Sequence, residues 1–132
     1  MNKIYVQVEK IDSNKQLFLL TLSSKEHQFK MISLEINSQI TQGSDLIIST
    51  KAVNIAIAKN YQGILSYDNQ LNVTINSIEM GELLCSLTLK FEEMLLESII
   101  SAESAKEMQL NVGDRVIALI QATDLAIMDS LV

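Results

Sequence analysis

Apolar and polar residues alternate along much of this chain, which is the pattern of half-buried β-strands. The alternation is clear over residues 4–8 and returns over residues 71–75 in the second half. Over residues 116–120 apolar side chains occupy both phases, which favours a strand covered on both faces. The pattern therefore predicts a protein built mainly of strands.

The strand pattern occurs twice. The segment 43–57 recurs at 113–127, seventy positions later. An upstream block recurs at an offset of sixty-seven, so that Asn2 corresponds to Asn69. The second copy is three residues longer between the two blocks, which a loop can absorb. Because repetition fixes the unit of folding, the sequence predicts two modules of about sixty residues.

Each module is predicted to run strand, strand, strand, short helix, strand, strand. The helix is clearest over residues 101–108, where Ser101 is a candidate N-cap. The corresponding piece of the first copy, 34–39, is two residues shorter and is predicted as a single turn. Residues 12–14 and 80–82 are predicted as hairpin turns. Short strands with a lone helix favour an all-β fold. We predict two tandem five-stranded barrels that are like the oligonucleotide/oligosaccharide-binding (OB) fold.

The predicted boundaries are 1–60 for the first module, 61–68 for a connector and 69–132 for the second module. The connector is too short and too apolar for a flexible linker, so we expect it to pack. A module of this size buries only about 60% of the surface that its unfolded chain exposes. We therefore expect the two modules to share a core or to pack side by side.

Composition narrows the class of protein. The 132 residues are 48% hydrophobic and 20% charged, which is typical of a globular chain. The net charge of −6 argues against general nucleic-acid binding, which depends on neutralising phosphates. No apolar run approaches the ~18 residues of a membrane span, and the start lacks a signal-peptide pattern. With Cys85 as the single cysteine, no internal disulfide can form, and we expect a cytoplasmic protein.

The sequence offers little for catalysis or for a metal cation. His27 and Cys85 lie in different copies and have no ligand spacing. The acidic residues of 92–97 are interpreted as a solvated hairpin rather than as a pair of catalytic carboxylates. We therefore predict that the protein is not an enzyme and contains no direct ligands for a metal cation.

A dispersed set of positions forms an opening motif, a middle segment and the closing strands: Ser66, Asn69, Gln70, Leu71; Ile100, Ser101, Ser104; Leu110, Gly113, Val116, Ala118, Ile120, Ala122 and Thr123. This set resembles the Mop (TOBE-type) domain of molybdate- and tungstate-binding proteins. The arrangement of two copies resembles the di-Mop molbindins and the C-terminal sensor half of the molybdate-responsive repressor.

The resemblance implies that tetrahedral oxyanions bind where modules or subunits meet, without an organic cofactor. Backbone amides, hydroxyl groups and a lysine would hold the dianion through charge-assisted hydrogen bonds. The residues that match this role are Ser33, Lys51 and Ala52 in the first copy, and Ser66, Asn69, Ser101, Ser104, Ala122 and Thr123 in the second.

The chain departs from the family pattern at several polar positions. Asp68 stands where the opening motif has an arginine, and Gln121 stands where the closing segment has a lysine. Ile36 replaces the second hydroxyl of the first middle segment. Lys51 is equally consistent with an exposed strand lysine, and Ser101 and Ser104 with helix capping.

Two functions remain open from the sequence. The first is a cytoplasmic protein that binds molybdate or tungstate for storage and homeostasis, as a homo-oligomer (dimer or trimer). The alternative is a regulatory or assembly module of a molybdate transport or sensing system. Such a module would keep the fold but bind the anion weakly or not at all.

Overall fold

The structure is a computed structural model and describes residues 1–130. Within these residues ten strands and one α-helix follow the predicted order, and two short 3-10 turns are added at Ala52–Asn54 and Ala122–Asp124. The bounds are β1 Asn2–Asn14, β2 Leu17–Ser24, β3 His27–Ser33, β4 Asp45–Thr50, β5 Ala56–Ala58, β6 Asn69–Met80, β7 Leu84–Phe91, β8 Met94–Ser101, α1 Ala102–Glu107, β9 Arg115–Ile120 and β10 Ala126–Ser130. The predicted all-β fold with two curled five-stranded OB-like sheets is confirmed.

The two sheets exchange their last strands. The first has the order β10-β4-β1-β2-β3 and the second the order β5-β9-β6-β7-β8. Ile127 of β10 lies opposite Ile48 of β4, and Ile57 of β5 lies opposite Ala118 of β9. The predicted boundaries at 1–60 and 69–132 are those of the sequence repeat. The sheets do not follow them at one strand each, because β10 of the second copy belongs to the first sheet and β5 of the first copy belongs to the second sheet.

The 3-10 turns make this exchange possible. The turn after β4, Ala52–Asn54, packs against β8 of the other sheet, and the turn after β9, Ala122–Asp124, packs against β3. The buried Ser98 hydroxyl on β8 donates a hydrogen bond of 2.6 Å to the carbonyl of Ile55. The chain therefore leaves its own sheet after β4, crosses β8 and joins the second sheet as β5.

Two asparagines join the sheets through matching contacts. The Asn2 side chain accepts a hydrogen bond from the Glu97 amide (2.7 Å) and donates one to the Glu97 carbonyl (2.8 Å). Asn69 makes the same pair of bonds with the backbone of Lys30, at 2.8 and 2.9 Å. Asn69 also donates to the Ile120 carbonyl at 3.2 Å. We call these the two asparagine clasps.

The modules share one hydrophobic core, as their small size predicts. A single cluster of buried side chains includes residues of both halves. Phe29 of β3 and Phe91 of β7 meet edge to face, with their ring centroids 5.9 Å apart. His27 packs against Phe91 at 5.1 Å and joins this aromatic contact across the two copies.

The first predicted hairpin turn is displaced along the chain. The hairpin reverses at Lys15, which has φ 58°, so that residues 12–14 belong to β1. Over 34–39 there is no helix, and the predicted single turn is closed by the Ile40 N–H, which donates to the Asn37 carbonyl at 2.9 Å. In the connector 61–68, Ile64 is 99% exposed and Leu65 is half-buried, and the packing of this segment stays a prediction.

A polar contact secures the chain after β5. Lys59 Nζ donates to the Gln109 carbonyl at 2.7 Å and to Asp114 Oδ2 at 3.0 Å. The backbone N–H of Asn111 and the Lys59 ammonium lower the pKa of the Asp114 carboxyl. Both partners of Lys59 precede β9, so the lysine anchors the exchanged segment to the second sheet. No helix within residues 1–130 is long and apolar enough to cross a membrane.

Candidate functional site

A surface cavity of about 460 Å³ lies where the end of β4 meets β8. Lys51 and Ala52 follow β4, whereas Glu97 belongs to β8 of the other sheet. The cavity exists because the chain crosses β8 at this point and because a clasp fixes the Glu97 backbone. The lining residues are Met1, Asn2, Lys51, Ala52 and Glu97.

Hydrogen-bond donors are available at this cavity. Among the described residues, the Lys51 ammonium has no ion-pair or hydrogen-bond partner, and the N–H of the half-buried Ala52 has none either. The Thr50 hydroxyl directly before them is buried and also lacks a partner within residues 1–130. An ammonium group and an unpaired amide favour an anionic ligand, since both only donate hydrogen bonds.

One lining group opposes an anion. Glu97 is exposed, and it lines the same cavity as Lys51. The described part of the chain shows no ion pair between Glu97 and Lys51. A carboxylate at this place repels a second anion, so the net attraction of the site depends on the balance between the two side chains.

The serines of the middle segments do not reach this cavity within one chain. Ser33 donates to the Glu35 carbonyl at 2.6 Å, which is a local turn contact. Ser101 accepts from the Ser104 N–H at 3.0 Å and so caps α1. Because Ser101 lies four residues beyond Glu97 on β8, the two are about 13 Å apart along the strand. A role for these hydroxyls in anion binding stays a prediction.

The second copy uses two of its predicted ligands for internal contacts. Both N–H groups of the Asn69 carboxamide are donated to the carbonyls of Lys30 and Ile120, which leaves no donor for a ligand. The Ala122 N–H donates to Asp68 Oδ2 at 3.1 Å. Ser66 and Thr123 are exposed. The structure therefore brings Lys51 and Ala52 together in a cavity, whereas the second-copy candidates are spread over several elements.

Sequence reasoning missed the roles of Asn2 and Glu97. The repeat contained a signal for Asn2, because it aligns with Asn69 at the offset of sixty-seven. No comparable signal marked Glu97, which reaches the site only because β4 and its following turn cross to the other sheet. The contact between Asp68 and Ala122 was also not predicted.

The remaining candidates for chemistry are structural residues. Cys85 is fully buried, and burial raises the pKa of its thiol. His27 is packed among the aromatic rings described above. In the described part of the chain, no three His, Cys, Asp or Glu side chains are grouped closely enough to hold a metal ion.

The fold and the cavity together define a class of protein: a pair of small OB-like β-barrels with hydrogen-bond donors at the junction of the sheets. Residues 65–127 match the TOBE domain family. This match agrees with the family resemblance drawn from the sequence. The first copy repeats the strand order of the second.

One solved structure shares this fold over nearly the whole chain. The cytoplasmic molybdate-binding protein ModG, in a crystal form with molybdate bound, has a TM-score of 0.86 and 20% sequence identity. That alignment covers 96% of this chain and 94% of ModG. A molybdate-binding protein from Sporomusa ovata aligns over 51% of this chain and 100% of its own, with 25% identity and a TM-score of 0.49. No curated protein matches the sequence.

Proposed function

We propose that this protein binds a tetrahedral oxyanion of the molybdate or tungstate type at the cavity formed by Lys51 and Ala52. The observation that carries the proposal is an unpaired ammonium next to an unpaired amide in one cavity. The match of residues 65–127 to the TOBE domain family and the fold shared with ModG support it.

A single chain supplies only part of a binding shell. Backbone and lysine donors lie on one side of the cavity, and the predicted hydroxyls of Ser33, Ser101 and Ser104 are engaged elsewhere in the chain. We infer that the missing donors come from a neighbouring molecule in a homo-oligomer, either a dimer or a trimer. In a cytoplasmic setting such an assembly would store molybdate and buffer its concentration.

Replacing Lys51 by alanine is expected to weaken molybdate binding at least about tenfold. The loss of one charge-assisted hydrogen bond costs about 1.5–3 kcal/mol, and each 1.4 kcal/mol is a factor of ten in the dissociation constant. Isothermal titration calorimetry with sodium molybdate measures the change, and sulfate tests for mere charge attraction. Lys90→Ala removes an exposed lysine on β7 as the matched control. Equal affinity in the parent and Lys51→Ala would contradict the assignment of this lysine.

Replacing Glu97 by glutamine is expected to strengthen molybdate binding by roughly fivefold. The substitution removes a carboxylate that lines the cavity, and such a charge repels a dianion about 8 Å away through water by about 1 kcal/mol. The dissociation constant at low and high salt is the measurement, since screening should reduce the gain. Glu93→Gln, in the turn between β7 and β8, is the control. A Glu97→Gln variant that binds more weakly than the parent would count against this geometry.

A second candidate function is favoured by the same carboxylate and by Gln121. Glu97 weakens the first-copy site, and the second copy lacks the lysine of the family pattern. On this hypothesis the protein is a regulatory or assembly module that keeps the fold without binding the anion tightly. Melting temperatures with and without molybdate separate the two functions. A ligand at 100 times its dissociation constant adds about 2.7 kcal/mol of stability, whereas a non-binding module gains nothing.

A further inference from the structure

The internal repeat gives every residue that lines the first-copy cavity a counterpart elsewhere in the chain, and we call the group of these counterparts the second place. The correspondence follows from the two sequence offsets and from the way in which each 3-10 turn packs on the opposite sheet. Residues that line the cavity and their counterparts are Met1 and Asp68, Asn2 and Asn69, Lys51 and Gln121, Ala52 and Ala122, and Glu97 and Lys30.

The first-copy cavity and the second place have opposite arrangements of charge. In the first-copy cavity the cation, Lys51, follows strand β4, and the carboxylate of Glu97 comes from β8 of the opposite sheet. In the second copy the carboxylate, Asp68, precedes the strand β6, and the cation, Lys30, comes from the opposite sheet. Lys30 Nζ donates to the Thr21 hydroxyl at 2.9 Å and forms no ion pair within residues 1–130.

The backbone donor of the second place is already satisfied by the protein itself. Ala122 is 1% exposed, and its N–H donates to Asp68 Oδ2. The equivalent Ala52 is only half-buried, and its N–H has no partner in the described range. A buried amide needs an acceptor, and a carboxylate offers an oxygen and a negative charge much as an oxyanion does.

We propose that Asp68 acts as a built-in anion that occupies the second place and restricts oxyanion binding to the first copy. This inference rests on the proposed function. An incoming dianion would have to displace Asp68 from Ala122, and it would be repelled by the carboxylate if that side chain stayed. Because Asp68 lies one residue before the clasp residue Asn69, it is held beside Ala122 and competes at a high effective concentration.

The test compares the number of molybdate ions bound per chain in the parent, Asp68→Ala and Asp68→Asn. Asp68→Ala frees the amide and removes the charge, so calorimetry should detect one additional ion per chain. Asp68→Asn removes the charge but keeps an acceptor for Ala122, so its gain should be smaller. Asp12→Ala, an exposed aspartate on β1, serves as the control and should keep the parent's stoichiometry.

A double variant separates this inference from the proposed function. In Lys51→Ala/Asp68→Ala the first site is weakened, and the remaining binding should disappear on adding Lys30→Ala. Hydrogen exchange supplies a second readout: the Ala122 amide should lose protection in Asp68→Ala and regain it with molybdate. If Asp68→Ala gains no ion and its Ala122 amide does not respond to molybdate, the inference is overturned, whatever the parent binds. A parent that fails to bind, beside an Asp68→Ala variant that binds, would refute the proposed first-copy site and still show that Asp68 blocks the second place.

Discussion

A chain that ends at Leu125 is expected to lose the first sheet rather than the second, although the deletion lies at the end of the second copy. The truncation removes β10, which pairs with β4. Burial of the half-buried Ile127 contributes about 1 kcal/mol, and each lost ladder hydrogen bond about 1 kcal/mol more. The total is a large part of the 5–15 kcal/mol that stabilises a typical domain. Hydrogen exchange should therefore show lost protection at Asp45–Thr50, with β9 still protected by β5 and β6.

Two engineered pairs of cysteines test the exchange of strands between the sheets. Ser49 lies directly opposite Ala126, so Ser49→Cys with Ala126→Cys should crosslink within one chain. Without strand exchange, Ala126 would take the place that Ala56 occupies opposite Leu119. Leu119→Cys with Ala126→Cys is then the matched pair that should stay reduced. Crosslinking of the second pair, with none in the first, would refute the exchanged arrangement.

The sequence predicted the elements well because their signals are local. Period-two alternation marks the strands, and Ser101 marks the start of α1 through its cap. The exchange had no such signal, because residues 56–58 and 126–128 are nearly the same short apolar stretch at the same offset in both copies. Either stretch fits the edge of either sheet by pattern alone. The choice is made by the 3-10 turns, which direct the chain across to the opposite sheet.

The candidate site could be predicted only in part for the same reason. Lys51 and Ala52 are neighbours in sequence, so their proximity in the cavity required no tertiary information. Glu97 lies far away in the chain and enters through the exchange. Asn69 matched a family motif for the opening strand, yet its carboxamide is fully engaged with backbone groups. A motif identifies a residue type at a position, whereas its free donors depend on what packs around it.

Replacing Asn69 by alanine is expected to destabilise the protein by about 2–4 kcal/mol. Asn69 is 1% exposed, and its removal leaves the N–H and carbonyl of Lys30 without their partners at the contact between the sheets. Each unsatisfied buried backbone group costs about 1–3 kcal/mol. Urea unfolding should show the lower free energy, and the melting temperature should fall by roughly 10 °C. Exchange protection of the Lys30 amide should fall more than that of other amides in β3.

Two further substitutions test whether the clasp itself carries this effect. Asn72→Ala removes an exposed asparagine from the same strand and should change stability by less than about 0.5 kcal/mol. Asn69→Asp keeps an acceptor for the Lys30 N–H but places carboxylate oxygens against the carbonyls of Lys30 and Ile120, so it should destabilise at least as much as alanine. If Asn69→Ala instead unfolds like the parent while its molybdate affinity drops, Asn69 is a ligand, as the family motif suggested. A loss of stability with binding retained at low temperature assigns it to the junction of the two sheets, because the first-copy cavity is built from Asn2 and not from Asn69.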